Sequence, residues 1–375
     1  MRIAFDATSI PRLMAGAGVY TDNLIRALAR VDSENEYVVF ARSDAFDGLA
    51  RERPSIRVAR VGARFRAARL AWEQLVLPSQ LRARAIDVLH SPHHTTPLLT
   101  IGCRRVVTFH DLTFFILPER YPRRRLLYFR SISWAAAKAA AMLICPSLAV
   151  RDDIVRILHA PPEKVRPIAE AAAPAFQVID DRAVIDRLRR KYVLPDRFIL
   201  SVGSLEPGKN RTTLLKAFAE LRRRGVEHKL AVAGQRAWKC GSDFRLAEEL
   251  GLKGEVIFTG YVAPEEMPAL YNAADLFVFP SLYEGFGLPV LEAMACGVPV
   301  VASNVSSIPE VAGDAALLTD PRDADALCDT MERALKDSGL KSDLRQRGLE
   351  RAATFSWEKA AQETIAVYEE AVRKG

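Results

Sequence analysis

Short apolar runs recur along the whole chain, each followed by a segment with helical spacing, and this alternation narrows the fold more than any other feature. In the first half the runs are 2–6, 37–40, 56–61, 86–90, 105–110 and 142–146. In the second they are 198–202, 229–233, 256–261, 276–280, 298–302 and 315–318. Several are continuously apolar, as expected of strands in a parallel sheet covered on both faces. The segments between them read as amphipathic helices. After Lys209-Asn210, for example, Leu214, Leu215, Phe218 and Leu221 share one face and Arg222-Arg223-Arg224 close the helix, where cations complement its dipole. Strands alternating with helices imply a doubly wound α/β fold. Two consecutive sets imply two such domains, and 375 residues exceed what one core usually serves. The predicted division is an N-terminal domain over 1–170, a linker over 171–196 with a charged helix at 180–192, a second domain over 197–355, and a final helix over 356–375.

The chain opens directly into the strand-like Ile3-Ala4-Phe5 and the charge of Asp6, so no secretory leader is expected. The most apolar stretch, 131–150, contains Lys138 and Pro146 and is too broken to span a bilayer. Cys103, Cys145, Cys240, Cys296 and Cys328 are scattered without metal-type spacing, which suits reduced thiols in a cytoplasmic protein. On that reading the sequons at Asn210 and Asn304 are chance matches. Charge is uneven: residues 1–195 hold 31 Lys and Arg against 19 Asp and Glu, while the remainder is acidic by five. This fits either an anionic partner for the first half or solvated faces rich in arginine. No nucleic-acid partner is expected.

Chemistry concentrates in Pro280-Ser-Leu-Tyr-Glu284-Gly285-Phe286-Gly287-Leu288-Pro289-Val-Leu-Glu292-Ala-Met-Ala-Cys-Gly297-Val-Pro299. A strand runs into a glycine-bearing loop, and a helix starts near Pro289, a residue suited to a first helical position. Free amides at a helix N-terminus make an anion site. Two carboxylates, Glu284 and Glu292, beside such a site would repel a phosphate, unless the ligand also carries hydroxyls for them to accept. A second strand–loop–helix junction, Val202-Gly203-Ser204-Leu205-Glu206-Pro207-Gly208-Lys209-Asn210, offers Lys209 as a phosphate cation. A third, Ala15-Gly16-Ala17-Gly18-Val19-Tyr20, opens the first helix. Junctions at the carboxyl ends of strands converge on the ligand crevice of an open α/β sheet.

These segments resemble glycosyltransferase family 4, a family with the GT-B fold of two facing Rossmann-like domains. Glu284 and Glu292 meet its E-x7-E pattern. The G-S-L-E-P-x-K-N segment at 203–210, the Gly16–Gly18 loop, Val107-Thr-Phe-His110-Asp111, Phe258-Thr-Gly-Tyr, Ala274-Asp275 and Ile308-Pro-Glu310 support it. The tail Phe355-Ser-Trp357 resembles the final helix that crosses back to the first domain. The resemblance implies hexose transfer from a nucleotide diphosphate sugar with retention at the anomeric carbon, and the lysine loop is similar to that of bacterial mannosyl- and rhamnosyltransferases, favouring GDP-mannose. It implies His110 and Glu284 as catalytic residues beside the reacting sugar. Donor contacts are implied for Gly16, Gly18, Lys209, Gly285, Phe286, Gly287, Leu288 and Glu292, the last on the nucleotide ribose, with the base near 258–261. The family commonly carries Arg where Ser204 stands and a basic residue where Gly208 stands; Arg211 is the substitute here. The segment Pro167-Ile-Ala-Glu170 lacks the family's usual N-G-V-type turn.

His90, His93 and His94 have no carboxylate or cysteine at ligand spacing, so they are expected as acceptor-side or plain loop residues. No metal and no cofactor are expected: Lys209, Arg211 and backbone amides neutralise the leaving diphosphate. The acceptor is expected to be a saccharide or a polyprenyl-linked saccharide of a surface polysaccharide. Segments 64–72 and 121–130 mix Arg with aromatics, with Phe65, Arg69 and Trp72 at helical spacing, and suggest a peripheral site at the anionic inner face of the membrane. Packing of the same aromatics in the core is the competing reading. Two other functions remain open: a catalytically silent sugar-nucleotide-binding subunit, and an NAD-type dehydrogenase, for which the dinucleotide fingerprint is incomplete.

Overall fold

The computed structural model describes residues 1–10, 16–63, 65–100, 102–235 and 241–374. The chain divides into two units, Met1–Glu170 joined by the C-terminal segment from Ser356, and Ala171–Phe355. The first is built on seven strands: β1 (Arg2–Asp6), β2 (Glu36–Ala41), β3 (Ile56–Arg60), β4 (Val88–Ser91), β5 (Arg104–Thr108), β6 (Met142–Cys145) and β7 (Val165–Pro167). All pair in parallel, in the order β3-β2-β1-β4-β5-β6-β7. The second has β8 (Phe198–Val202), β9 (Lys229–Ala233), β10 (Val256–Gly260), β11 (Leu276–Phe279), β12 (Val300–Ser303) and β13 (Leu317–Thr319), all parallel in the order β10-β9-β8-β11-β12-β13. Helices cover the sheets. The final helix, Trp357–Arg373, packs on the helix Ala17–Val31 and behind β4 to β6, which makes it part of the first unit. Its Tyr368 is fully buried there.

The central strands are buried end to end because both faces are covered: Ile3, Ala4 and Phe5 of β1, and Phe198, Ile199 and Leu200 of β8, have no solvent exposure. The helix Arg211–Arg223 buries Leu214, Leu215, Phe218 and Leu221 against β8 and β9. Burial of one such aliphatic or aromatic side chain contributes on the order of 1.5–3 kcal/mol.

Two segments differ from the sequence expectation. Residues 165–167 form an edge strand where only a turn was expected, because the edge position tolerates Pro167, which has no N–H to give the ladder. The segment 171–196 is part of the second unit. Its helix Arg182–Tyr192 is fastened there by Lys191 and Tyr192 on Glu266, at 2.6 and 2.7 Å, and by Arg189 on the Ala273 carbonyl at 3.2 Å.

In each sheet the strand order reverses direction at one place, between β1 and β4 in the first unit and between β8 and β11 in the second. In an open α/β sheet the ligand-binding loops leave the carboxyl ends of the strands at such a reversal.

Candidate functional site

In the second unit the two switch-point loops are the two phosphate-type junctions of the sequence. The β8 loop ends in Lys209 and Asn210, and the β11 loop carries Glu284 to Gly287. They are tied to one another: Asn210 donates to the Pro280 carbonyl at 3.0 Å, and the Leu282 N–H to the Gly208 carbonyl at 3.0 Å. Lys209 Nζ lies 2.5 Å from Glu284 Oε1 and 5.1 Å from the centre of the Phe279 ring. Both charged side chains are largely buried, at 18 and 16 % exposure, so solvent screens the pair poorly. Gly203 comes within hydrogen-bond reach of β9, and Gly234 there has room for no side chain, since a Cβ would stand 2.0 Å from the Gly203 carbonyl oxygen.

The Glu284 loop is shaped by two serines that the sequence reading passed over. Ser306 accepts from the Glu284 N–H at 3.0 Å, and Ser307 donates to the carbonyls of Glu284 and Phe286 at 3.0 and 2.7 Å. Ser306 holds a left-handed backbone, φ 51°, a strained conformation typical of functional loops. Phe286 is buried against Phe355. Gly287 caps the helix Leu288–Ala295 at φ 108°, where a Cβ would lie 2.6 Å from Ile308 Cδ1. At that helix start Pro289 has no N–H and the Val290 and Leu291 amides return to the Gly287 carbonyl, at 2.9 and 3.4 Å, which leaves the Leu288 amide without an intrahelical acceptor.

Glu292 lies on that helix. Its Oε2 accepts from the buried hydroxyl of Tyr271 at 2.8 Å, and burial pushes its carboxyl up to about 7, opposed by the Tyr271 bond. Arg211 is differently placed from a ligand cation. It is 2 % exposed, and its two terminal nitrogens donate to the Ser204 and Gly203 carbonyls at 2.8 and 2.5 Å. Burial lowers it to about 10. Arg211 thus shapes the β8 loop from within.

In the first unit Gly16 caps the helix Ala17–Val31 at φ 50°, and Gly18 is buried in its first turn. His110 follows β5. Its Nδ1 lies 3.4 Å from Glu170 Oε1 and its Nε2 3.0 Å from the Pro92 carbonyl, with the Tyr20 ring edge-on at 4.7 Å. Burial favours the neutral ring, but Glu170, the Pro92 carbonyl and Asp111 outweigh it and hold His110 above its ordinary value. Glu170, read only as part of a turn, is 5 % exposed and is the unforeseen member of this group.

The three neighbouring histidines separate. His90 is a core residue: both nitrogens meet hydroxyls, of Tyr368 at 2.7 Å and Thr108 at 2.8 Å, and burial lowers it to about 3. His94 packs against Phe114 and Phe129. His93 does have carboxylates beside it, contrary to the spacing argument, because the fold brings Asp6 from β1 and Glu73 from the helix Arg66–Leu75 to its Nε2, at 3.7 and 3.6 Å. These residues have the donor types of a metal site. Arg69 stands among them, 2.7 Å from Glu73, 3.3 Å from His93 and 3.8 Å from Asp6, and supplies the positive charge. Burial would raise Glu73, yet His93, Arg69 and Thr95 together hold it well below the usual carboxylate range.

The same contacts bear on segment 64–72, of which Arg64 lies outside the described residues. Arg69 is buried in that cluster and Trp72 packs on Phe40, leaving Phe65 exposed. The helix Arg123–Ala139 does present large apolar groups to solvent, Leu127, Tyr128 and Trp134, next to Arg123, Arg124 and Arg125. No helix among the described residues is long and apolar enough to cross a membrane.

Two all-parallel α/β units, one with a lysine and a glutamate paired at a glycine-bearing switch point, define a glycosyltransferase of the GT-B fold. The chain belongs to glycosyltransferase family 4. Residues 14–171 match the model of Glycosyltransferase Family 4, and residues 184–351 that of Glycosyl transferases group 1. It is 32% identical to O-antigen chain mannosyltransferase B of Escherichia coli, over 98% of this chain and 99% of that one. Among solved structures it resembles sucrose-phosphate synthase of Thermosynechococcus elongatus, with a TM-score of 0.77 at 21% identity over the full length of both chains. HepE of Anabaena, solved with UDP and glucose, gives 0.77 at 20% identity over 99% of this chain and 100% of that one.

Proposed function

We propose that this glycosyltransferase moves a hexose, mannose from GDP-mannose by preference, to a saccharide or lipid-linked saccharide of a surface polysaccharide, with retention at the anomeric carbon. The observation that carries the reading is the buried Lys209–Glu284 pair at the switch point of the second unit. Before donor arrives, each charge neutralises the other, so the carboxylate does not repel an incoming diphosphate. Once the diphosphate takes Lys209, Glu284 is released to accept sugar hydroxyls. Amides at the Gly287 helix start share the phosphate charge, Glu292 accepts from the ribose, and the base lies near 258–261. The similarity to the E. coli O-antigen chain mannosyltransferase supports mannose and a polysaccharide product, and the ligands of HepE support a nucleotide diphosphate sugar as donor class.

Transfer on this reading needs no metal ion, since Lys209 and the amides meet the leaving charge; chelator should leave the rate unchanged. The exposed Leu127, Tyr128 and Trp134 beside three arginines are proposed to rest on an anionic leaflet, where a lipid-linked acceptor would be presented. The deciding experiment is a thermal-shift screen against GDP-, UDP-, dTDP- and ADP-sugars, since a ligand that binds only the native state raises the melting temperature. It is followed by NMR assignment of the anomeric configuration of the product. Stabilisation by no nucleotide sugar, or an inverted product, would overturn the proposal.

A further inference from the structure

The two ring nitrogens of His110 face partners that can only accept. Nε2 lies 3.0 Å from the Pro92 carbonyl oxygen and Nδ1 3.4 Å from a Glu170 carboxylate oxygen. A neutral imidazole has one N–H and can satisfy one of them; satisfying both requires the doubly protonated ring. His90, one strand away, is the internal contrast. Its nitrogens meet two hydroxyls, which donate or accept as needed, and a neutral ring fits.

We propose that Glu170 is a positioning residue that favours the imidazolium form of His110, a positive charge at the carboxyl end of β5 rather than a general base. With both nitrogens donating, the ring has no lone pair to take a proton from an acceptor hydroxyl. What it offers is charge, suited to an anionic group of the substrate; that use rests on the transfer proposed above, whereas the charge itself does not. The other titratable groups facing the ring do not compete. Asp111 adds a favourable negative charge, and burial keeps His90 neutral and raises Tyr20, so neither is charged. Glu170 closes the N-terminal segment of the first unit, and its carboxylate is buried against no cation other than His110 among the described residues. The pair thus stands or falls together: a buried carboxylate left without its partner is costly.

The test reads the ring directly. Histidine side chains labelled with nitrogen-15 are titrated by NMR in the full chain, with His110 assigned from the signal lost in His110→Gln. In the wild type His110 should titrate above the ordinary histidine value. In Glu170→Gln burial should dominate, and the proton affinity should fall at least about tenfold, one pH unit. Glu170→Asp should restore part of the shift, which separates a charge effect from misfolding. Nucleoside diphosphate release by Glu170→Gln should fall at lower pH than that of wild type and recover as pH drops below the ordinary histidine value. A His110 that is neutral at pH 6 in the wild type, or that titrates alike in wild type and Glu170→Gln, would overturn the proposal. So would an activity loss that is the same at every pH.

Discussion

Replacing Glu292 by Gln should make the ligand-free protein more stable in alkali while weakening its hold on nucleotide. The Glu292 side chain is half-buried on the helix Leu288–Ala295 with one close donor, the Tyr271 hydroxyl at 2.8 Å, and desolvation raises its carboxyl from the ordinary 4.5 to about 7. A group raised on folding stabilises the native state below its unfolded value, and that contribution is lost as pH climbs through the folded value. The window is therefore about pH 4.5 to 7, and the gap corresponds to about 3 kcal/mol. Gln keeps the shape and an oxygen for Tyr271 but cannot ionise, so it escapes the loss. At pH 4 the two proteins should unfold alike; above pH 8 the variant should gain up to about 3 kcal/mol, roughly 6–12 °C in Tm for a unit of this size. Differential scanning calorimetry without ligand, across that range, measures this. Calorimetric titration with the nucleoside diphosphate above pH 8, where the carboxyl is ionised, should show weaker binding by the same variant, because a ribose hydroxyl loses a charged acceptor. Stability curves that run parallel from pH 4 to 9 would refute the reasoning, for they would mean that burial does not hold Glu292 protonated.

Lys209→Ala should cost donor binding about 1.5–3 kcal/mol, the value of a charge-assisted contact, or roughly a ten- to hundredfold rise in Kd; unchanged affinity by calorimetry would remove Lys209 from the diphosphate. Glu284→Gln should lower kcat more than nucleotide affinity, the reverse of Glu292→Gln, and an exchange of these phenotypes in steady-state and binding assays would reverse the two roles. An Arg123/Arg124/Arg125→Ser variant should bind anionic vesicles less than wild type in sedimentation, with both losing binding as salt rises; wild type that ignores anionic vesicles at low salt would point to a soluble acceptor.

Most of the fold was readable because parallel strands bury both faces and so leave continuous apolar runs. Eleven residues around β8 and its loop, from Phe198 to Gly208, show the limit of that signal as well as its strength. The run 198–202 coincides with β8 in full, whereas β7 was missed. Three residues ending in Pro167 carry no periodicity, and only an edge position makes them a strand. The helix Arg182–Tyr192 was legible as a helix, but its place in the second unit depends on Glu266, more than seventy residues away.

The site divides along the same line. Residues within one loop declared themselves: the glycine at a helix start, the lysine after a strand, the spacing of the two glutamates. What the sequence withheld was which charge faces which. Lys209 meets Glu284 only because β8 and β11 are neighbours in the sheet, and Arg211, two residues further on, turns inward to the carbonyls of its own loop. Asp6, Glu73 and His93 lie far apart in the chain, so ligand spacing could not detect them, and nothing in the helical spacing of Arg69 shows that it turns inward to them. Such pairings set which groups are charged. His90 and His110 differ little in sequence context, each near the end of an apolar run, yet one has hydroxyl partners and is neutral while the other has a carbonyl and a carboxylate. A motif can place a histidine beside a substrate; whether that histidine arrives as a base or as a cation is decided by partners such as Glu170, which the strand order alone brings to it.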